Sequence, residues 1–350
     1  MTAGGGSAVN GTSGGRTQVP AWSAMTEPRV GVVVIGRNEG ERLVACLASL
    51  APLGLPVVYV DSGSTDGSRD AARRAGAAVV ELDLDRPFTA ARARNEGAAL
   101  LRAAYPALSY IQFVDGDCTV APHWVSTARD FLDVRQEIAV VAGRRRERFP
   151  EQSIYNAMCD HEWNTPVGPA LACGGDALVR ASAFWSIGGF DPYMVAHEEP
   201  EMCTRLRAAG GQIERIAGEM TLHDANITRF GQWWRRNRRG GFGYAQAFAR
   251  HPGATADART LLRRALCWSA LLPVAAALMI WGLWQPAVGL LLLYPLQVVR
   301  LSARTRRAGL QQPWVAAALA VTSKVPEALG AIQFGANAML GRQRGAIFYK

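Results

Sequence analysis

A chain of 350 residues exceeds what a single hydrophobic core usually serves, so one compact domain with a second body attached is expected. With 49% hydrophobic and 19% charged residues it can bury a sizeable core, which excludes collagen-like and wholly disordered architectures. The 38 basic residues outnumber the 29 acidic ones, giving +9, a balance that suits nucleic acid, an anionic membrane surface or a phosphorylated substrate without choosing among them. Six scattered cysteines form no CxxC pair, which argues against a zinc site or disulfide framework and for reduced, mostly buried thiols. No basic stretch followed by an apolar run opens the chain, so no secretory signal is expected and a cytosolic-side location is.

Residues 1–28, with GGGSAVNGTSGG, are too polar and glycine-rich to offset the entropy of ordering and are read as a disordered tail. VGVVVI (Val30 to Ile35) is a continuous run rich in β-branched residues, the pattern of a strand buried on both faces of a parallel sheet. Leu43, Val44, Leu47 and Leu50 then recur at helical spacing, with Asn38 available as a cap. VVYVD (Val57 to Asp61) is the next strand, followed by a helix capped by Thr65 or Asp66 and ended by Gly76. AAVVEL is a third strand, a helix follows over Thr89 to Ala104, and YIQFVD (Tyr110 to Asp115) is a fourth strand. This alternation predicts a doubly wound, mainly parallel α/β sheet. Beyond Asp117 it loosens, with a strand expected at Ile138 to Ala142, another at Gln212 to Ile216, and helices at Glu151 to Glu162 and Glu198 to Ala209.

Leu266 to Trp284 holds 19 residues without a charge, enough to span a hydrocarbon core of roughly 30 Å at about 1.5 Å per residue. Ala287 to Val299 is a second uncharged run of only 13, short for a full span unless it tilts, thins the bilayer or re-enters. Arginines flank the pair on both sides (Arg263, Arg264; Arg300, Arg304, Arg306, Arg307), which puts both ends of a hairpin on the cytoplasmic face. A soluble pair of buried helices is the alternative. Trp314 to Leu340 carries Lys324 and Glu327 and reads as an interfacial helix. The expected divisions are a catalytic domain at 29–244, a basic linker at 245–264, the hairpin at 265–299 and a basic, interfacial helical tail at 300–350.

Ligands of open α/β sheets bind beyond the carboxyl ends of the strands, and here three strands end in polar loops: Arg37-Asn38-Glu39, Asp61 to Ser68, and Asp115-Gly116-Asp117. Neither GxGxxG nor GxxxxGK[ST] follows a strand, which removes the main support for dinucleotide and P-loop chemistry. Two carboxylates one residue apart around a glycine suit a hard divalent ion that completes its shell with substrate phosphates, although such a loop can equally be a solvated turn.

The ordered set RNEGERL, DSGSTDGS, ARNEGAAL, DGD, GGDALVRASAFWSIGGFD and HEEPEMCTRLR, spread over residues 30–244, resembles the family-2 glycosyltransferases of the GT-A fold. That resemblance implies a membrane-associated enzyme that transfers sugar from a nucleoside diphosphate sugar, first of all a UDP-sugar, with inversion and with Mg²⁺ or Mn²⁺ as cofactor. It implies that Asp61 bonds the base, Glu39 lies near the nucleoside, and Arg94 approaches base or phosphate. Asp115 and Asp117 would hold ribose and metal, Asp115 sharing the metal, with His223 a further metal or phosphate contact. Glu199 would be the general base, with Glu198 its neighbour, where the family usually has Glu-Asp. Glu201 and Arg205 are expected to form an ion pair one helical turn apart.

RFGQWWRRNRRGGFGYAQ mixes Arg229, Arg235, Arg236, Arg238 and Arg239 with Trp233 and Trp234, which suits anionic lipid headgroups or RNA. Its place beside the apolar runs favours lipid. Gln232 to Arg235 is similar to the QxxRW segment of processive polysaccharide synthases, but Arg236 stands where that pattern has Trp, so single-sugar transfer is expected. Gly174-Gly175 and Gly188-Gly189 are read either as close-approach points for the acceptor or as plain turns. Cys173 is given no chemistry. The expected partners are a nucleotide sugar, a glycan or lipid-linked acceptor and membrane lipids, with no nucleic acid. The alternative is a membrane protein that binds nucleotide sugar without turnover, which the retained DGD and Glu198-Glu199 oppose.

Overall fold

The computed structural model describes residues 17–18, 28–83, 85–86, 88–251 and 256–341. Most of the expected tail at 1–28, residues 252–255 of the expected linker and residues 342–350 of the expected C-terminal tail lie outside the described residues. The chain divides into two compact units, Met1–Arg148 with Trp163–Met194 and Glu198–Ala225, and Phe149–Glu162 with Val195–His197 and Asn226–Lys350.

In the first unit a two-residue strand, β1 (Thr17–Gln18), precedes the alternation read from the sequence: β2 (Val30–Gly36), α1 (Glu41–Leu50), β3 (Val57–Asp61), α2 (Ser68–Arg74), β4 (Ala78–Glu81), α3 (Ala90–Ala104) and β5 (Tyr110–Asp115). There follow β6 (Cys118–Val120), α4 (Trp124–Val134) and β7 (Ile138–Glu147); α5 (Ile154–Glu162) belongs to the second unit. The first unit closes with β8 (Gly168–Pro169), β9 (Ala177–Arg180), α6 (Ala181–Ser186), α7 (Glu198–Ala208) and β10 (Gln212–His223).

The ten strands among the described residues form one sheet in the order β1-β4-β3-β2-β5-β9-β7-β10-β6, with β8 on β10. The run β4-β3-β2-β5 is parallel. β9 is antiparallel to both β5 and β7, while β10 is parallel to β7 and antiparallel to β6. The sheet is therefore mixed, parallel through the half where strand and helix alternate and irregular where that alternation loosens. The continuous apolar strands follow from burial on both faces: Val32, Val34 and Tyr59 join the core that includes Leu43, Leu47 and Trp124, whereas Val33, Val58 and Val60 join the one that includes Ala98, Leu101 and Phe184.

Local readings at the helix ends differ in detail. Thr89 caps α3, its Oγ1 accepting from Arg92 N at 3.0 Å. Asn38 does not cap α1; at φ 54° its Oδ1 accepts from Thr65 N at 2.8 Å, tying two strand-end loops together. Val44, placed on the apolar face from spacing, is 44% exposed. β7 and β10 run further than expected, to Glu147 and His223, because they pair with each other along those extensions.

The second unit contains α5, α8 (Phe230–Arg250), α9 (Ala256–Ile280), α10 (Trp284–Arg307), α11 (Pro313–Thr322) and α12 (Lys324–Met339). The boundary expected at 244 falls inside α8. A turn over 281–283 ends the first apolar run, and α10 carries the second beyond its uncharged stretch, so the helix has 24 residues where the charge-free run had 13. Among the described residues three segments can cross a membrane by length and composition: Asp257–Ile280, Trp284–Arg307 and Pro313–Met339. The third, read from sequence as an interfacial helix, is interrupted at Ser323 and is half buried within the unit, against 11% for the other two. α12 meets α8 backbone to backbone, Gly241 lying against Glu327 O and Gly330 against Arg238 O, where neither glycine has room for a side chain.

Gly97 provides the equivalent close approach in the first unit: a Cβ there would lie 2.5 Å from Val33 Cγ1 and 2.9 Å from Val60 Cγ2. Gly97→Val should force α3 away from the sheet and cost about 1–3 kcal/mol. Thermal unfolding in detergent checks this, and an unchanged midpoint would mean that α3 yields without strain.

Candidate active site

Strand register brings the polar loops to one edge. Gly36 of β2 pairs with Asp61 of β3, and Ile35 pairs with Asp115 of β5, so both aspartates end their strands at nearly the same level. Gly116 donates its N–H to Ile35 O at 2.8 Å and its missing Cβ would lie 3.0 Å from that oxygen, so a side chain would crowd this turn. Asp117 then leads into β6, whose Cys118 pairs with His223 of β10. On its other side His223 pairs with Glu147 of β7.

This register collects the four potential ligands Asp115, Asp117, Cys118 and His223, one ligand atom from each lying within 4.8 Å of the others. His223 Nε2 is 3.3 Å from Asp117 Oδ1, and its Nδ1 is 3.6 Å from Glu147 Oε2. Two carboxylates and an imidazole converging in this space fit a divalent cation, with the Glu147 carboxylate on the far side of the ring. The sequence-expected metal residues Asp115, Asp117 and His223 are thus brought together, and Cys118 joins them.

Arg94 rises from α3 with 2% of its side chain exposed. Its Nη1 donates to Glu198 Oε1 at 2.8 Å, and its Nη2 donates to Asp115 Oδ1 at 2.8 Å and lies 3.3 Å from Glu199 Oε1. The residue expected beside base or phosphate therefore links the acidic loop to the acidic pair that opens α7. Burial alone would raise the Asp115 carboxyl, but Arg94 and Arg145 outweigh it and hold it below its ordinary value. Glu199 goes the other way: burial, then the neighbouring Glu198 charge, push it up to about 7. One turn on, Arg205 Nη2 donates to Glu201 Oε2 at 2.7 Å, the expected ion pair.

Several site residues were given no role by sequence reasoning, although Asp176 lies within the GGDALVR segment. Arg145 of β7 donates from Nη2 to Asp115 Oδ2 at 3.1 Å. Asp176, fully buried, accepts from Asp115 N at 2.9 Å and from Thr221 Oγ1 at 2.7 Å. Trp163 lies under the Arg145 guanidinium, 4.8 Å away, and meets the His223 ring edge-on at 4.7 Å. Gly175 touches the same cluster: a Cβ there would be 2.7 Å from Asp115 Oδ2 and 3.0 Å from Arg94 Nη2. The available signal was an aspartate directly before a buried strand and an arginine run within one.

Asp61 and Glu39 have different surroundings. Asp61 is 1% exposed; its Oδ2 accepts from Gly63 N at 3.0 Å and Ser64 N at 2.8 Å, and its Oδ1 from Tyr59 OH at 3.1 Å. It closes its own loop in the manner of an Asx turn. Glu39 pairs with Arg42, and Arg42 Nη1 donates to Asp224 O at 3.3 Å, which links the first loop to the end of β10.

Residues 31–186 match the model of glycosyl transferase family 2. The matched stretch runs from β2 through α6. The chain is 28% identical over 287 residues to the succinoglycan biosynthesis protein ExoA of Rhizobium meliloti (strain 1021), covering 73% of this chain and 84% of that one. It is 27% identical over 289 residues to the pre-mycofactocin glycosyltransferase of Mycobacterium tuberculosis (strain CDC 1551 / Oshkosh), covering 79% of this chain and 56% of that protein's length. In fold it is similar to a mannosyltransferase from Pyrobaculum calidifontis in complex with GDP-Man and Mn²⁺, with a TM-score of 0.58, 20% identity and 88% of each chain covered. With these likenesses the chain is a glycosyltransferase with a GT-A type sheet, and its Asp-Gly-Asp loop lies in the cluster of residues able to hold a metal ion.

The raised carboxyl of Glu199 has a consequence for folding. Its folded value of about 7 lies above its ordinary 4.5, so its contribution to stability is fully present below about 4.5 and is lost as pH rises through about 7. Glu199→Gln, neutral throughout, should lack that decline and gain on wild type between about pH 5 and pH 8. Melting temperatures of the two proteins across that range, without metal, test it; parallel curves would show that Glu199 titrates normally.

Proposed function

We propose that this chain is a family 2 glycosyltransferase that moves a sugar from a nucleoside diphosphate sugar, with inversion, to a lipid-linked or cell-envelope glycan acceptor at the cytoplasmic face of a membrane. The observation that carries the reading is the convergence of Asp115, Asp117 and His223 within one ligand-sized space, linked through Arg94 to Glu198 and Glu199. A divalent cation, Mg²⁺ or Mn²⁺, held by Asp117, Asp115 and His223, would when bound offset charge developing on the diphosphate. The fold neighbour's GDP-Man and Mn²⁺ support a donor and cation of this class.

The base is Glu199. Glu198 is nearly buried, 5% exposed, and accepts from Arg94, whereas Glu199 is 16% exposed, further from that guanidinium, and has a proton affinity matched to neutral pH. Its carboxylate takes the acceptor hydroxyl proton as the oxygen bonds to the anomeric carbon and the bond to the diphosphate breaks. Asp61 and Glu39, at the ends of β3 and β2, face the nucleoside. A UDP-sugar is the first donor to try and a GDP-sugar the contrast.

The acceptor side rests on the second unit and on the relative named for succinoglycan biosynthesis. α9 and α10 cross the membrane with arginines at both cytoplasmic ends. α12 lies in the interface, because it packs on α8, whose Arg235, Arg236, Arg238 and Arg239 are costly to bring into hydrocarbon. A cavity of about 510 Å³ where α8 begins, lined by Asn226, Thr228, Arg229, Gln232 and Arg235, suits anionic headgroups.

Glu199→Gln should cut kcat by about 10² to 10⁴ with donor affinity little changed, and Glu198→Gln should cost less. Wild-type kcat should rise as pH climbs through about 7, the value at which Glu199 ionises. A larger loss at Glu198 would transfer the base assignment by one residue.

Thermal shift with UDP- and GDP-sugars ranks donors, since a ligand at 100 times its Kd stabilises by about 2.7 kcal/mol. Binding without any Mn²⁺-stimulated donor hydrolysis or transfer would favour a nucleotide-sugar-binding protein over an enzyme acting on that donor.

A further inference from the structure

Asp176 lies directly before β9, fully buried, and touches the acidic loop from inside the protein. We propose that Asp176 is a positioning residue that holds Asp115, at the near end of the Asp115–Asp117 loop, against the His223 strand, so that loop and strand can share one divalent cation. The inference rests on reading Asp115, Asp117 and His223 as the cation's ligands.

β5 and β10 are not neighbours in the sheet: β9 and β7 stand between them. The far end of the loop is held by a direct ladder, Cys118 of β6 pairing with His223, but no ladder joins Asp115 itself to β10. Asp176 bridges that gap with its two oxygens. Oδ1 accepts from the backbone N of Asp115 at 2.9 Å, and Oδ2 accepts from Thr221 Oγ1 at 2.7 Å. Thr221 precedes His223 by two residues on β10, so the two side chains leave the same face of the strand, and holding one restrains the other.

A third contact closes the frame. Arg145 Nε lies 3.6 Å from Asp176 Oδ2, and its Nη2 reaches Asp115 Oδ2 at 3.1 Å. The carboxylate is the required chemistry here, because an ionised Asp accepts at both oxygens and Asn accepts at only one. A fully buried carboxylate is costly without partners, and these three supply them. Neighbouring Gly175 leaves room for the frame, since a Cβ there would meet Asp115 Oδ2 and Arg94 Nη2.

Mn²⁺ binding to the full-length protein, followed by electron paramagnetic resonance with UDP or GDP present, tests the proposal. Thr221→Val, nearly isosteric, removes the donor to Oδ2, and Asp176→Asn removes one acceptor and the charge. Both should weaken Mn²⁺ binding by about 10- to 100-fold, the range for residues that hold metal ligands. Thr221→Ser, which keeps the hydroxyl, should restore it. Folded Thr221→Val and Asp176→Asn proteins with wild-type Mn²⁺ affinity would overturn the proposal. Should Asp176→Asn not fold, the Thr221→Val and Thr221→Ser pair decides alone. Binding lost in Asp117→Ala but unchanged in Thr221→Val overturns only the positioning role. Wild type binding Mn²⁺ no better than Asp117→Ala overturns the cation reading and this inference with it.

Discussion

Arg94 is buried among the carboxylates of Asp115, Glu198 and Glu199, and the arrangement of the catalytic unit's polar edge follows from that placement. Like charges brought together out of water repel strongly and are costly to desolvate, so an acidic cluster of this density needs a cation within it. Arg94 and Arg145 supply two, and the balance is uneven. Asp115 touches both guanidiniums and stays ionised, while Glu199 is less well matched and holds its proton to about neutral pH. Neighbouring acids are thereby driven toward different tasks, one suited to a cation and the other to accepting a proton.

The second constraint is the length of β10. A strand that stopped at Ile216 would leave His223 in a loop; a strand running to His223 places the ring between Cys118 and Glu147 by register alone. The bulges along its pairing with β7 allow one strand to serve β7, β8 and β6 in turn. Mixed pairing is thus what closes the Asp115, Asp117 and His223 cluster, since β6 runs antiparallel to the strand that carries the histidine.

The second unit has a different surface. Leu272, Ile280, Trp281, Leu292 and Leu296 of the α9–α10 region are 45%, 82%, 80%, 59% and 65% exposed. A continuous apolar surface of this kind is unfavourable in water at roughly 25 cal/mol per Å² and natural in hydrocarbon. α12 shows the opposite economy: its Glu327 is buried and paired with Lys324 at 2.7 Å, and its glycine contact with α8 puts packing where lipid would otherwise be.

Much of the enzyme was legible from the chain alone. Buried strands announce themselves as β-branched runs, and loops at their carboxyl ends can be read for chemistry, so the sheet, the Asp115-Gly116-Asp117 loop, the Glu198-Glu199 pair and the apolar helices followed from local pattern and the family resemblance. Where the partners of a residue lie far along the chain, that reading failed. Asn38 has a cap residue's chemistry but bonds Thr65, and the second apolar helix outlasts its charge-free stretch because arginines extend its last turns. Arg145 and Trp163 have no local signature, and Asp176, inside the GGDALVR segment, has none that tells its role, since what defines them is contact with Asp115, Thr221 and His223, tens of residues away. Which groups can carry charge, bind a cation or enter a membrane is legible in the chain, because those are properties of residue type and short spacing. Which of them meet, and which acid keeps its proton, is settled by the fold, because burial and the neighbouring charges exist only once distant strands are paired.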